Sequence, residues 1–202
     1  MEVANFVHVT PAPEEFSRAI RGVRWPDQSL VGTHQDGCTE PWIAQVVASL
    51  LVASGGKTVL ETGAFQGTTT AWLALALQSM GGGHLIACDI DAERANAVWS
   101  RLASLPIPNV RWATFATDVL DYIRSLDTAV LDFVWLDDDH QKPHVQDEIN
   151  ALWPKMRGGG LIVFHDVFGS VDLQSVVRAN GGYCLDLPKL GPAGGLGLIQ
   201  VP

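Results

Sequence analysis

Two places along this 202-residue chain gather residue types that can do chemistry. The first is Asp137-Asp138-Asp139-His140, directly after the apolar run Phe133-Val134-Trp135-Leu136. Three adjacent carboxylates repel one another unless water or a cation screens them. One of them can also cap the helix that follows, and both uses are expected, by different members of the triplet. The second place is His165-Asp166, which ends the apolar run from Leu161 to Phe164. If the two runs are neighbouring strands, an Asp of the triplet and the His165-Asp166 pair converge on one divalent ion. Oxygen-only sets suit Mg²⁺, Ca²⁺ or Mn²⁺, and a histidine moves the preference towards transition metals. The plainer reading of His165 is a hydrogen bond to a loop. His144 lies four residues past His140 in the manner of a zinc pair, a reading weakened by Pro143 near a helix start.

A third stretch, Val59-Leu60-Glu61-Thr62-Gly63-Ala64-Phe65-Gln66-Gly67-Thr68-Thr69, carries glycines where a buried strand gives way to a helix. Gly63 allows a tight turn and close approach to a ligand, and Gly67 lets the helix start pack near it. That helix start offers free N–H groups to a carboxylate. The spacing is GxxxG, not the GxGxxG of nicotinamide and flavin sites. Glu61 strengthens that contrast, because a carboxylate there repels a pyrophosphate and attracts an ammonium group. Asp89, at the end of Leu85-Ile86-Ala87-Cys88-Asp89, can take both hydroxyls of a ribose. A helix N-cap is the alternative role, and Asp91 suits it better.

These residues need a scaffold that brings strand ends together. Apolar, β-rich runs fall at Thr58–Leu60, Leu85–Cys88, Val110–Ala113, Leu131–Leu136 and Leu161–Phe164. Helical segments separate them: Thr68–Met80, Ala92–Leu105, Asp118–Ser125, Pro143–Met156 and Val171–Asn180. Near-continuous apolar strands alternating with helices imply a parallel sheet covered on both faces. Tyr183–Leu187 and Leu196–Val201 are joined by a Pro/Gly-rich stretch too short for a helical crossover. They read as an antiparallel pair closing one edge. A further helix is expected over Pro41–Ala53, with Thr39 or Glu40 near its N-cap, and a short one from Pro13 to Ile20. Trp25 to Gly37 reads as loop.

ETGAFQGTT, with Asp89 and Thr117-Asp118 in order behind it, resembles the motifs of class I S-adenosylmethionine-dependent methyltransferases. The catechol O-methyltransferase type is the nearest in kind. WLDDDH with IVFHDV resembles the metal-dependent O-methyltransferases, including those acting on macrolide sugars. The resemblance runs from about Val31 to the C-terminus. It implies one Rossmann-like α/β domain over 1–202, a three-layer sandwich around a mostly parallel seven-stranded sheet with a C-terminal antiparallel hairpin. Residues 1–37 would form an N-terminal helix and loop, placed to lid the site. It implies that Glu61, Gly63, Ala64, Gly67 and Thr69 hold the methionine part of S-adenosyl-L-methionine. Asp89 would take the ribose, and Thr117 and Asp118 the adenine. Asp137, His165 and Asp166 take the metal-ligand positions and His140 that of the general base. His165 departs from the family, which usually carries Asp or Glu there.

The implied reaction moves a sulfonium methyl group to a hydroxyl of a small molecule, with a divalent ion positioning the oxygen. A metal-independent methyltransferase and a non-catalytic S-adenosylmethionine-binding protein are the alternatives. A net charge of −9 without a basic run argues against a nucleic-acid substrate. No apolar run reaches the ~18 residues of a membrane span. The N-terminus lacks the pattern of a signal peptide. Three scattered cysteines suit a reducing cytoplasm. Self-association is left open.

Overall fold

The computed structural model describes residues 39–169, 171–186 and 194–202. The short helix at Pro13–Ile20, the loop from Trp25 and the proposed lid lie outside the described residues. So does the first part of the Pro/Gly-rich connection.

The first described helix, α1 (Pro41–Ser54), stops at Gly55, whose φ of 69° only glycine adopts freely. Its N–H closes the helix on Leu51 and Val52 carbonyls. The chain then alternates β1 (Thr58–Thr62), α2 (Thr68–Ser79), β2 (Gly83–Asp89), α3 (Ala92–Ser104), β3 (Val110–Ala116), α4 (Val119–Ser125) and β4 (Leu131–Leu136). It continues through α5 (Lys142–Leu152), β5 (Met156–Phe164), α6 (Val171–Ala179), β6 (Tyr183–Leu185) and β7 (Leu196–Gln200). The seven strands order as β3-β2-β1-β4-β5-β7-β6. Only β7 runs against its neighbours, pairing Leu161 with Gln200 on β5 and Tyr183 with Leu198 on β6. The expected edge hairpin is present, with β7 as its inner strand.

Alternation along the strands divides the core in two. On β1, Val59 joins Ile43, Leu51, Trp72 and Val98 beneath α1, α2 and α3. Its neighbour Leu60 joins Ile123, Ile149 and Val177 beneath α4, α5 and α6. Helices on both faces make the three-layer α/β sandwich expected, and the central strands read as apolar runs because both their faces are buried. Each helix carries matching spacing. On α3, Ala95, Val98 and Leu102 face inward, and the Asp91 carboxylate caps the start by accepting from the Glu93 and Arg94 amides at 2.7 and 3.2 Å.

Several element boundaries shift from the sequence reading, most of all where α5 meets β5, which starts at Met156 and not Leu161. α5 ends at Leu152, not Met156, and passes through a 3₁₀ turn at Trp153–Lys155 into β5. Pro154 has no N–H to extend the α-helical ladder. Met156 instead pairs with Leu131 on β4, and the register shifts before Phe133 meets Leu161.

The chain runs outward from β1 through β2 to β3, then returns to place β4 on the other side of β1. That reversal opens a crevice between the C-terminal ends of β1 and β4, the place where open α/β sheets bind ligands.

Candidate active site

A cavity of about 820 Å³ occupies this crevice, lined by the ends of β1, β2, β3, β4 and β5 and by Thr39 and Glu40 ahead of α1. Its floor forms where β1 and β4 nearly touch. A Cβ on Gly63 would lie 2.2 Å from the Asp137 carbonyl oxygen, and Gly63 has a φ of 65°. Glycine is therefore required twice, by backbone sign and by space. Gly67, with φ 76°, precedes α2 and packs against Val98.

One end of the cavity is built for a cation beside an anion. Glu61 is 1% exposed, lines the cavity, and its Oε2 has no hydrogen-bond partner among the described residues. Burial pushes its carboxyl up to about 8, with the Asp137 and Asp89 charges adding and the Thr70 hydroxyl opposing. The Thr69 hydroxyl, at the start of α2, is likewise buried and unpartnered. Across the loop, Asp89 accepts from the Phe65 amide at 2.8 Å through Oδ2 and from the Asp91 amide at 2.9 Å through Oδ1. These bonds fix the carboxylate's orientation and leave lone pairs for further donors. Phe65 holds a φ of 48° beneath the Arg94 guanidinium, 4.6 Å from its ring centroid. Such backbone strain in a non-glycine residue clusters at ligand sites.

At the other end the acidic triplet divides its work. Asp137 accepts from the Thr39 hydroxyl at 2.7 Å through Oδ2 and meets His165 Nδ1 at 2.8 Å through Oδ1. His140 Nε2 lies 3.7 Å from the same Oδ1 and has no hydrogen-bond partner among the described residues. One ligand atom from each of Asp137, His140 and His165 falls within 4.8 Å of the others. Burial alone would lower the His165 pKa, but hydrogen bonds to Asp137 and Glu40 and the nearby Asp166 charge raise it to about 10. Asp138 turns away to His144, at 3.0 Å. Asp139 accepts from the Gln141 amide at 2.9 Å and steadies the entry to α5. Asp166, at φ 50°, lines the cavity with Oδ1 3.5 Å from His165 Nε2.

A family model for the methyltransferase domain matches residues 60–167, more than half of the chain. The chain belongs to the methyltransferase-domain family. No curated protein matches this methyltransferase. Among solved structures it is similar to TomG, an O-methyltransferase from Streptomyces achromogenes involved in tomaymycin synthesis and seen with S-adenosylmethionine. That likeness has 21% identity, a TM-score of 0.63, and covers 96% of this chain and 93% of TomG. An O-methyltransferase from Bacillus cereus, seen with S-adenosylhomocysteine, is similar at 19% identity and a TM-score of 0.64. The two chains are covered to 96% and 94%. Both likenesses establish the Rossmann-like methyltransferase fold.

Every residue singled out in the sequence for cofactor, metal or proton transfer lines this methyltransferase's cavity except Gly67, which shapes the turn. Thr117 and Asp118 sit at its far rim, and the Asp118 carboxylate is committed to capping α4 through the Leu120 and Asp121 amides. The tight metal-ligand grouping contains His140 where the sequence placed Asp166. His144 joins Asp138 and not His140. Thr39, Glu40 and Arg94 escaped the sequence reading, because their approach to the site depends on helices packing from elsewhere in the chain.

Proposed function

We propose that this methyltransferase uses S-adenosylmethionine to methylate a hydroxyl of a small molecule, with a divalent ion assisting. The observation that carries the reading is Glu61. A buried carboxylate with one unpartnered oxygen, beside a buried, unpartnered Thr69 hydroxyl, fits the ammonium and carboxylate of an amino-acid ligand. Such a pair is costly to bury without the ligand that satisfies it. S-Adenosylmethionine, when bound, supplies a methyl group on a positively charged sulfur. Glu61 would hold its ammonium group, and Thr69 with the free amides of α2 its carboxylate. Gly63, Ala64 and Gly67 shape the loop around it. Asp89 would take the ribose hydroxyls, and the rim at Thr117 and Asp118 the adenine. The complexes of the two similar O-methyltransferases support this ligand.

For the ion, Asp137, His140 and His165 offer one oxygen and two nitrogens, a set suited to a transition metal. Asp166 stands close enough to complete or replace a member of that set. A bound divalent ion supplies a Lewis acid that lowers an acceptor hydroxyl's pKa. His140, with its unpartnered Nε2 facing the cavity, would accept the hydroxyl proton as the methyl carbon passes from sulfur to oxygen. A His140 that accepts the proton would leave Asp137, His165 and Asp166 to hold the ion. We place the protein in the cytoplasm.

A metal-independent reading rests on one contact. His165, raised to about 10 and 2.8 Å from Asp137, carries positive charge where a metal would sit. Calorimetry with S-adenosylhomocysteine and NAD tests the cofactor, and binding of NAD alone would sink the proposal. Methyl transfer to catechol-type diols, with and without EDTA, then separates the readings. Activity abolished by EDTA and restored by metal supports assistance, whereas full activity after chelation supports the His165 reading. Cofactor binding without turnover on any acceptor would leave a non-catalytic binder. His140→Ala should lower turnover by about 10²–10⁴-fold while cofactor binding holds. Near-normal turnover in His140→Asn, with an unchanged acidic limb of the pH–rate profile, would remove His140 as base.

A further inference from the structure

Beside the Asp137 grouping, at the wall of the same cavity, stands a second group of ligand-type side chains. Asp138 leaves the β4 loop for α5, where His144 and Glu148 lie one helical turn apart on the same face. His144 Nε2 is 3.0 Å from Asp138 Oδ2 and 3.8 Å from Glu148 Oε2. One ligand atom from each of the three lies within 4.8 Å of the others. Glu148 is 0% exposed, and neither of its oxygens has a hydrogen-bond partner among the described residues. The wall around it mixes apolar Leu136, Val145, Phe164 and Leu173 with Asp138, Asp139, His140 and His165. Burial and the Asp138 charge push the Glu148 carboxyl well above the ordinary range, so a cation would have to displace a proton here. The one imidazole within 4 Å of it among the described residues is already engaged by Asp138.

We propose that Asp138, His144 and Glu148 form a second divalent-metal site, suited to zinc, that clamps the β4 loop onto α5. Ligand atoms around a tetrahedral zinc at 2.0–2.2 Å stand roughly 3.3–3.6 Å from one another. The separations of 3.0 and 3.8 Å from His144 bracket that spacing. Two carboxylates and one neutral imidazole balance the ion's charge, and water takes the fourth position. An ion here serves position, not reaction. It would fix Asp138, and through the chain Asp137 and Asp139 on either side of it. The two groupings share no ligand, so either can fail without the other.

The test uses the full chain, stripped with chelator and titrated with zinc chloride alone, with bound zinc counted after gel filtration. Wild type should retain one zinc equivalent more than Glu148→Gln and His144→Asn, and Asp137→Asn should retain that equivalent. Zinc should still raise the Tm of Asp137→Asn, and that increment should be absent when Glu148→Gln is added to Asp137→Asn. Glu148→Gln keeps the side chain's shape, and burial already holds the metal-free carboxyl well above its ordinary range, so metal-free the variant should be about as stable as wild type. That provides a folded variant even if His144→Asn fails to fold. Equal zinc content and equal Tm shift in wild type and Glu148→Gln would overturn the proposal, as would loss of the shift in Asp137→Asn alone.

Discussion

Glu61 couples cofactor binding to pH in a direction that can be worked out from its burial. Its folded carboxyl titrates at about 8 against an ordinary 4.5. The ligand-free protein therefore keeps a proton through that window while the unfolded chain has lost it, and its stability falls as pH rises from 4.5 to about 8. Pairing with an ammonium group needs the carboxylate, so binding below about 8 must expel the proton. Affinity for S-adenosylhomocysteine should climb with pH by up to about tenfold per unit and level off near 8. Glu61→Gln should flatten that slope and stabilise the ligand-free protein at neutral pH. Calorimetry across the range decides, and parallel slopes in the two proteins would dissociate Glu61 from the ligand. Asp89 invites a simpler test. Asp89→Ala removes charge-assisted bonds worth about 1.5–3 kcal/mol each. It also frees the Phe65 amide that the carboxylate now accepts from. Affinity should fall by at least about tenfold, and an unchanged value would remove Asp89 from the cofactor site.

At the scale of elements, the β1–α2 turn must be glycine because β4 is there. Gly63→Ala would drive a Cβ to 2.2 Å from the Asp137 carbonyl at a φ of 65°, with backbone on both sides of the clash. Gly55 shares the sign, φ 69°, but has nothing within 4 Å. Gly55→Ala should cost about 1 kcal/mol for its backbone alone, and Gly63→Ala about 3 kcal/mol or more once overpacking adds. Urea midpoints of the two variants give the comparison, and equal losses would show that the strands part easily at this point. The strands and the glycine turn were legible because they are local: apolar runs such as Leu131–Leu136, and a GxxxG where a strand meets a helix. The triplet's division of labour was legible only as an expectation that some would cap and some would bind. Which Asp does which depends on α5 rotating Asp138 towards Glu148 and on α1 bringing Thr39 to Asp137. Residues 98 positions apart in the chain leave no periodic trace of such a contact. His144 was noticed for its spacing from His140, yet its partner on the same helix face is Glu148, four residues onward. The helix begins at Lys142, so His140 lies outside it and shares no helix face with His144.

For the molecule as a whole, charge favours one form of the cofactor over the other. The net charge is −9, and among the described residues lining the cavity carboxylates outnumber Arg94 and the protonated His165. A concave site of one sign focuses field, raising local cation concentration and association rate. S-Adenosylmethionine carries one positive charge more than S-adenosylhomocysteine, because a sulfonium becomes a thioether when the methyl group leaves. The field therefore attracts the methyl donor more strongly than the product and loses part of its hold once transfer is complete. Salt separates this long-range effect from contact: the screening length falls from about 30 Å at 0.01 M to about 8 Å at 0.15 M ionic strength. Affinity for S-adenosylmethionine should drop over that range while affinity for S-adenosylhomocysteine changes much less. The preference for donor over product should then narrow as salt rises. Calorimetric titrations of both ligands in parallel salt series, at constant pH and after chelation, measure it. Metal removal matters because a divalent ion at Asp137 would cancel part of the same field. A donor-to-product affinity ratio that stays constant across the series would mean that local contacts near the sulfur, not the protein's overall charge, discriminate the two.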